Sequence, residues 1–215
     1  MTIKNLFTEL DDAFEQSDIK QYAEKNKFSW NYSLTSTPIY ENGLLLIGFN
    51  CGAAKNYPYK KQSGLPTENF LLQDLGSFRR VVPYLEKYLS TDTIAKIVQT
   101  NYCFFRSSKQ NEISEKDRKL CEPIFFKLVS LINPKQIISF SASLRELLLT
   151  RQDIFTKTFS QDIPSNRGVI KAIVGQMKIN SKNIPISFLP HPNYPLNGTA
   201  RHQAWQTIFE NLKKN

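Results

Sequence analysis

The stretch GLLLIGFN, residues 43–50, decides the fold. Its apolar run from Leu44 to Phe49 is continuous, with no alternation, and it stops on Asn50 and a Cys-Gly pair. A short run of this kind, bounded by turn residues, reads as a strand with both faces buried, the pattern of a parallel sheet. It is far too short for a membrane span, which needs roughly 20 apolar residues.

Three further stretches share the pattern: AKIVQTN (95–101), PKQIISFS (134–141) and IPISFLP (184–190). Helical periodicity lies between them. Ser114 with Asp117 three residues on has capping-box spacing and opens a helix placing Leu120, Ile124, Leu128, Leu131 and Ile132 on one face, ended by Asn133-Pro134. A last helix from about Thr199 carries Ala204, Trp205, Ile208, Phe209 and Leu212, core residues by their spacing. Residues 168–180 read as an edge strand or hairpin, and 150–167 as a helix tail and loop. Strands alternating with helices predict an α/β fold, a three-layer α/β/α arrangement around a central, mainly parallel four-stranded sheet. No repeat or linker divides the chain, so residues 1–215 are expected to form a single domain.

Lys and Arg number 28 against 19 Asp and Glu, a net charge of +9. Such a surplus favours anionic partners, nucleic acid first and acidic membrane surfaces second. The three cysteines, Cys51, Cys103 and Cys121, are widely spaced without a C-x-x-C pair, and the two histidines make no zinc pattern. No metal and no cofactor are expected. Acids recur through MTIKNLFTELDDAFEQSDIK and no signal-peptide core interrupts them, so the expectation is a cytoplasmic protein that does not enter membranes.

In an open parallel sheet, ligands bind beyond the carboxyl ends of the strands. Three ends carry polar chemistry: Gly48-Phe49-Asn50-Cys51-Gly52, Thr100-Asn101-Tyr102 and Pro190-His191-Pro192-Asn193. Taken singly, an Asn after Gly is a turn residue and a His between prolines is a loop residue. Together they supply hydrogen-bonding groups but no hydrolytic nucleophile and no carboxylate pair, which argues against ordinary peptidases and glycosidases. The set suits an anionic leaving group that needs a donor, with water attacking a cationic sugar carbon. A Cys51–His191 thiolate pair has no third orienting group, and Gly48 to Lys55 lacks the G-K-[ST] ending of a phosphate loop.

These segments, in this order, resemble the uracil-DNA glycosylase superfamily, with its glycine-rich G-x-[DN]-P-[YG] turn and its H-P-S motif. The likeness runs over roughly residues 43–213 and includes TNYCFFRSSKQNEISEKDRKLCEPIFFKLVSLINPKQIISFS, which has the family's strand, Asn, basic loop, capped helix, N-P-K and next strand. It implies a monofunctional hydrolase, monomeric and cofactor-free, that flips uracil or a related deaminated or 5-substituted pyrimidine out of DNA and cleaves its N-glycosidic bond. By the resemblance, Asn50 holds the attacking water, as in the mismatch-specific and single-strand-selective branches. His191 donates to uracil O2, Asn101 reads O4 and N3–H, and Gly48 and Phe49 complete the base pocket.

Leu196 is the implied wedge, with Tyr194 and Pro195 as rivals, while Asn193, Lys55, Lys60, Lys61, Arg106, Lys109 and Arg201 face the DNA backbone. Four positions depart from the family pattern. Cys51 replaces proline, Asn193 replaces serine, and Thr67 stands where an aromatic stacks on the base, leaving Phe70 or Tyr59 to substitute. Gly52 stands where a tyrosine would block the thymine methyl, which implies tolerance of 5-substituted uracils. The alternatives are a nucleic-acid-binding module that has lost turnover, and an enzyme acting on a free nucleoside or an RNA base.

Overall fold

Each of the four apolar runs forms a strand, and the four lie parallel because each is apolar on both sides. The computed structural model describes residues 2–69 and 80–212. In chain order, α1 (Ile3–Glu15) and α2 (Asp18–Lys25) precede β1 (Leu44–Gly52), and α3 (Val82–Leu85) and α4 (Thr91–Ala95) lead into β2 (Val98–Ser107). Next come α5 (Glu115–Ile132), β3 (Gln136–Ser139) and α6 (Ala142–Leu149), then β4 (Phe155–Ser165), β5 (Gly168–Ile179), β6 (Lys182–Phe188) and α7 (Gly198–Leu212).

The sheet has six strands in the order β2-β1-β3-β6-β5-β4, which corrects the expected four. The first four are mutually parallel, and β5 and β4 extend them antiparallel as a hairpin. Residues 155–165 are therefore strand, where a helix tail and loop were expected. Most of β4 is solvent-exposed and polar, with Thr156, Lys157 and Thr158 in succession, so it has no apolar run to announce it. Its extended shape comes from pairing with β5, a tertiary contact that local propensity does not encode. Likewise β5 lies between β6 and β4 and is not an edge strand.

Two apolar clusters show why β1 is apolar on both faces. Leu45, Ile47 and Phe49 pack with Leu6 and Leu10 of α1, Phe125 and Leu128 of α5, and Leu144 of α6. Leu44 and Leu46 pack on the opposite side with Leu85, Ile94 and, from α7, Trp205 and Ile208. The aromatics of α7 are core: Trp205 stacks on Tyr84 and Phe209 on Tyr88. On α5 the buried stripe is Cys121, Ile124, Phe125, Leu128, Val129 and Ile132, whereas Leu120 and Leu131 are only partly buried.

Asp117 does more than its spacing predicts. The capping box is present, with Ser114 Oγ accepting from the Asp117 N–H and Asp117 Oδ2 accepting from the Ser114 N–H at 2.9 Å. Its other oxygen, Oδ1, accepts the Asp18 and Ile19 N–H groups at 2.9 and 3.3 Å. One fully buried carboxyl group thus caps α5 and α2 together.

The outer edge of β2 is not left open. Backbone bonds from Ser36 N to Gln99 O, Ser33 N to Phe104 O and Arg106 N to Asn31 O lay residues 31–36 along it. Between β1 and β2 the register runs Gly48 to Asn101 and Asn50 to Cys103, then jumps to Cys51 opposite Arg106. One step on β1 thus matches three on β2, and this irregularity lies where the polar residues begin. Among the described residues, no helix is long and apolar enough to cross a membrane.

Candidate active site

Asn50, Asn101 and His191 line one cavity of about 410 Å³. Asn50 lies near the carboxyl end of β1 and His191 follows β6, but β2 runs on to Ser107, so Asn101 lies inside that strand and not at its end as expected. That volume falls in the usual range of ligand clefts, roughly 300–1,000 Å³. Gly48, Phe49, Gly52 and Arg106 line it too.

Asn50 is oriented by its own amide nitrogen, which donates to Ser107 Oγ at 2.7 Å and to the Cys51 carbonyl at 3.1 Å. The Ser107 hydroxyl donates its O–H to the Lys109 carbonyl at 2.8 Å, so Oγ must accept from Asn50. With both amide hydrogens committed, the Asn50 side-chain carbonyl is the group left for a ligand or a water.

Asn101 lies across Gly48, its register partner. A Cβ on Gly48 would overlap Asn101 Oδ1, so glycine is what lets the amide cross β1. The Asn101 amide nitrogen donates to Cys51 Sγ at 3.1 Å. Gly48→Ala should displace the Asn101 side chain, because the obstructed atom is a side-chain end that can swing away. The expected result is a small change in melting temperature, checked by a thermal melt.

His191 stands exposed at the cavity rim. Its Nδ1 accepts the Asn193 N–H at 3.2 Å, and its carbonyl accepts the Tyr194 N–H at 2.8 Å. An accepting Nδ1 carries no proton, so the neutral ring presents Nε2–H as its donor. Desolvation, followed by the charge of Arg201, lowers the His191 pKa from its ordinary 6.5 and favours that neutral form.

The loop after His191 is braced from two sides. Arg201 donates from Nη2 to the Tyr194 carbonyl at 2.5 Å, so this cation supports the loop in addition to any contact with a ligand. Asn166, at the β4–β5 turn, donates to the Pro195 carbonyl at 3.4 Å and accepts the Asn197 N–H at 2.9 Å. Leu196 is half-buried against the cluster that holds Trp205, whereas Tyr194 is exposed.

Other expected residues are distributed as follows. Lys109 lines the cavity, and Lys55 and Lys60 are exposed on the loop after β1. Lys61 pairs with Asp11. Tyr59 is occupied elsewhere, its hydroxyl accepting the Ala54 N–H at 2.8 Å. Thr67 is exposed, and Phe70 lies outside the described residues. The space beside Gly52 is open: a Cβ there meets no atom within 4 Å. Burial pushes the Cys51 thiol up to about 11, which leaves it protonated at neutral pH and removes the thiolate reading. Among the described residues, no three His, Cys, Asp or Glu side chains group as a metal would require.

Phe140 and Ser141 also line the cavity and follow β3, the one strand end passed over in the sequence. The rule that ligands meet strand ends would have found them. Nothing local marks Ser107 or Asn166, whose roles arise from partners far along the chain. Neither a family model nor a curated protein matches this chain.

Proposed function

We propose that the chain is a monofunctional glycosylase of the uracil-DNA glycosylase type, with the three-layer α/β/α arrangement that the resemblance implies. In this reading it acts as a cytoplasmic monomer on uracil or related pyrimidines in DNA. The observation that carries it is the meeting of Asn50, Asn101 and His191, from three distant segments of the chain, around one cavity. A flipped pyrimidine is held by its edge and not by charge. Its O2 takes the His191 Nε2–H as negative charge grows on the departing base, a donor already aimed and so without reorganisation cost.

Water held by the Asn50 carbonyl attacks the sugar carbon from which the base is parting. An amide offers no counter-charge to that cation, so turnover is slower than with a carboxylate in this position. Asn101 exchanges its weak sulfur acceptor for pyrimidine O4 while its carbonyl takes N3–H; cytosine, with a donor at position 4 and a bare N3, leaves both unsatisfied. Phe49 and Phe140 supply apolar wall where no stacking aromatic follows Gly64.

The test is base release from oligonucleotides carrying uracil as a single strand, opposite guanine and opposite adenine. Free uracil with an abasic product is expected, and none in any strand form defeats the reading. With Gly52 leaving the cavity open, 5-hydroxymethyluracil should also be released; equal refusal of it and of thymine would count against an unwalled pocket. A second reading, a binding module without turnover, is favoured by the Asn101–Cys51 bond, which keeps the reading amide occupied. Affinity without base release selects it.

A further inference from the structure

Arg106 belongs to the cavity wall, but its guanidinium carbon also sits 4.6 Å from the centre of the Tyr59 ring. Tyr59 packs in turn against Tyr57, with ring centres 4.6 Å apart. The three side chains form a row that starts in the cavity and ends at the surface. Tyr57, its outer member, is 59% exposed.

The inner two members are anchored by hydrogen bonds. Asn31 Nδ2 donates to the Tyr59 carbonyl at 2.5 Å, and Asn31 Oδ1 accepts from Arg106 Nε at 3.2 Å, so one buried amide positions both. The Tyr59 hydroxyl is bonded to the Ala54 N–H, and the Tyr59 N–H reaches back over Pro58 to the Tyr57 carbonyl at 3.0 Å. Tyr57 adds little to the core, yet its ring stands outward, tilted 56° against Tyr59. KNYPYKK, residues 55–61, interleaves these rings with Lys55 and Lys60, both exposed, and Lys109 joins Arg106 at the cavity.

We propose that Tyr57, Tyr59 and Arg106 form a stacking rail for the bases flanking the cavity in a single-stranded nucleic acid, whose phosphates meet Lys55, Lys60 and Lys109. This rests on the nucleic-acid reading of the cavity. Every base offers a π-face to such a rail, but in a duplex those faces are covered by neighbouring pairs. Exposed rings therefore select an unpaired strand, and cations interleaved with them supply the salt-dependent part of binding.

Fluorescence anisotropy with labelled oligo-dT, oligo-U and a duplex of equal length tests the rail on the full chain. Single strands should bind more tightly than the duplex. Tyr57→Ala should weaken single-strand binding about tenfold without lowering the melting temperature, and Tyr57→Phe should retain it. Lys60→Ala should reduce the salt slope by about one. A preference between oligo-dT and oligo-U, which differ in the sugar and in the base methyl, supports the rail in either case. Single-strand affinity unaffected by Tyr57→Ala, or equal affinity for duplex, overturns it. Failure of the wild type to release any base would defeat the glycosylase reading and leave this binding result standing, so the two failures are distinguishable.

Discussion

On the proposed mechanism His191→Ala should lower the rate of base release by about 10²–10³, the usual cost of one donor to a developing oxyanion, while oligonucleotide affinity should stay nearly unchanged. Single-turnover release and anisotropy on the same preparation measure the two effects. The separation arises because the donor matters only as charge builds on the base. A purely structural His191 would give the opposite pattern, a lower melting temperature with the rate of the folded fraction intact.

A pH profile adds a signature that packing cannot imitate. The neutral ring is the form whose Nδ1 accepts the Asn193 N–H. Protonation places a second donor against that N–H. Since partial desolvation at the cavity rim and the charge of Arg201 lower the folded pKa below 6.5, activity should be flat through neutral pH and fall only on the acid side of the folded value. The His191 contribution to stability follows the same sign. The unfolded chain takes up the proton first, so stability is level above 6.5, falls as the pH drops below it, and levels again beneath the folded value. In His191→Ala the ring's acid limb should vanish from the rate profile.

Asp117→Ala should cost about 3 kcal/mol, from three backbone N–H groups losing their acceptor in the interior at roughly 1 kcal/mol or more each. For a chain of this size that is a fall of about 6–12 °C in melting temperature. Asp117→Asn keeps one acceptor oxygen and turns an amide donor towards donors already there, so it should lie close to the alanine variant. Thermal melts of both decide the matter. A loss confined to ordinary surface values, below about 0.5 kcal/mol, would mean that water reaches the freed groups.

Asp117 also marks how far the chain could be read without coordinates. Its three-residue spacing from Ser114 is local, so the cap of α5 was legible; its hold on α2, across 99 residues, was not. The same division runs through the site. Asn50 and His191 were legible as strand ends, since a continuous apolar run followed by a polar turn is written in consecutive residues; Asn101 was expected to end its strand, but β2 continues to Ser107 through pairing with β1. Phe140 belonged to the same pattern and went unread because its neighbours carry no distinctive chemistry.

By itself the sequence determined four buried strands, the capped α5 and the core face of α7, because periodicity and capping depend on residues only a few positions apart. Only the tertiary structure decided that six strands form the sheet, that β4 exists, that Asn50 points its carbonyl and not its amide into the cavity, and that His191 carries its proton on Nε2. Each of these turns on a partner brought close by folding: β5 for β4, Ser107 for Asn50, the tight turn onto Asn193 for His191. A polar strand and the direction of an amide have no preferred state until such partners are in place.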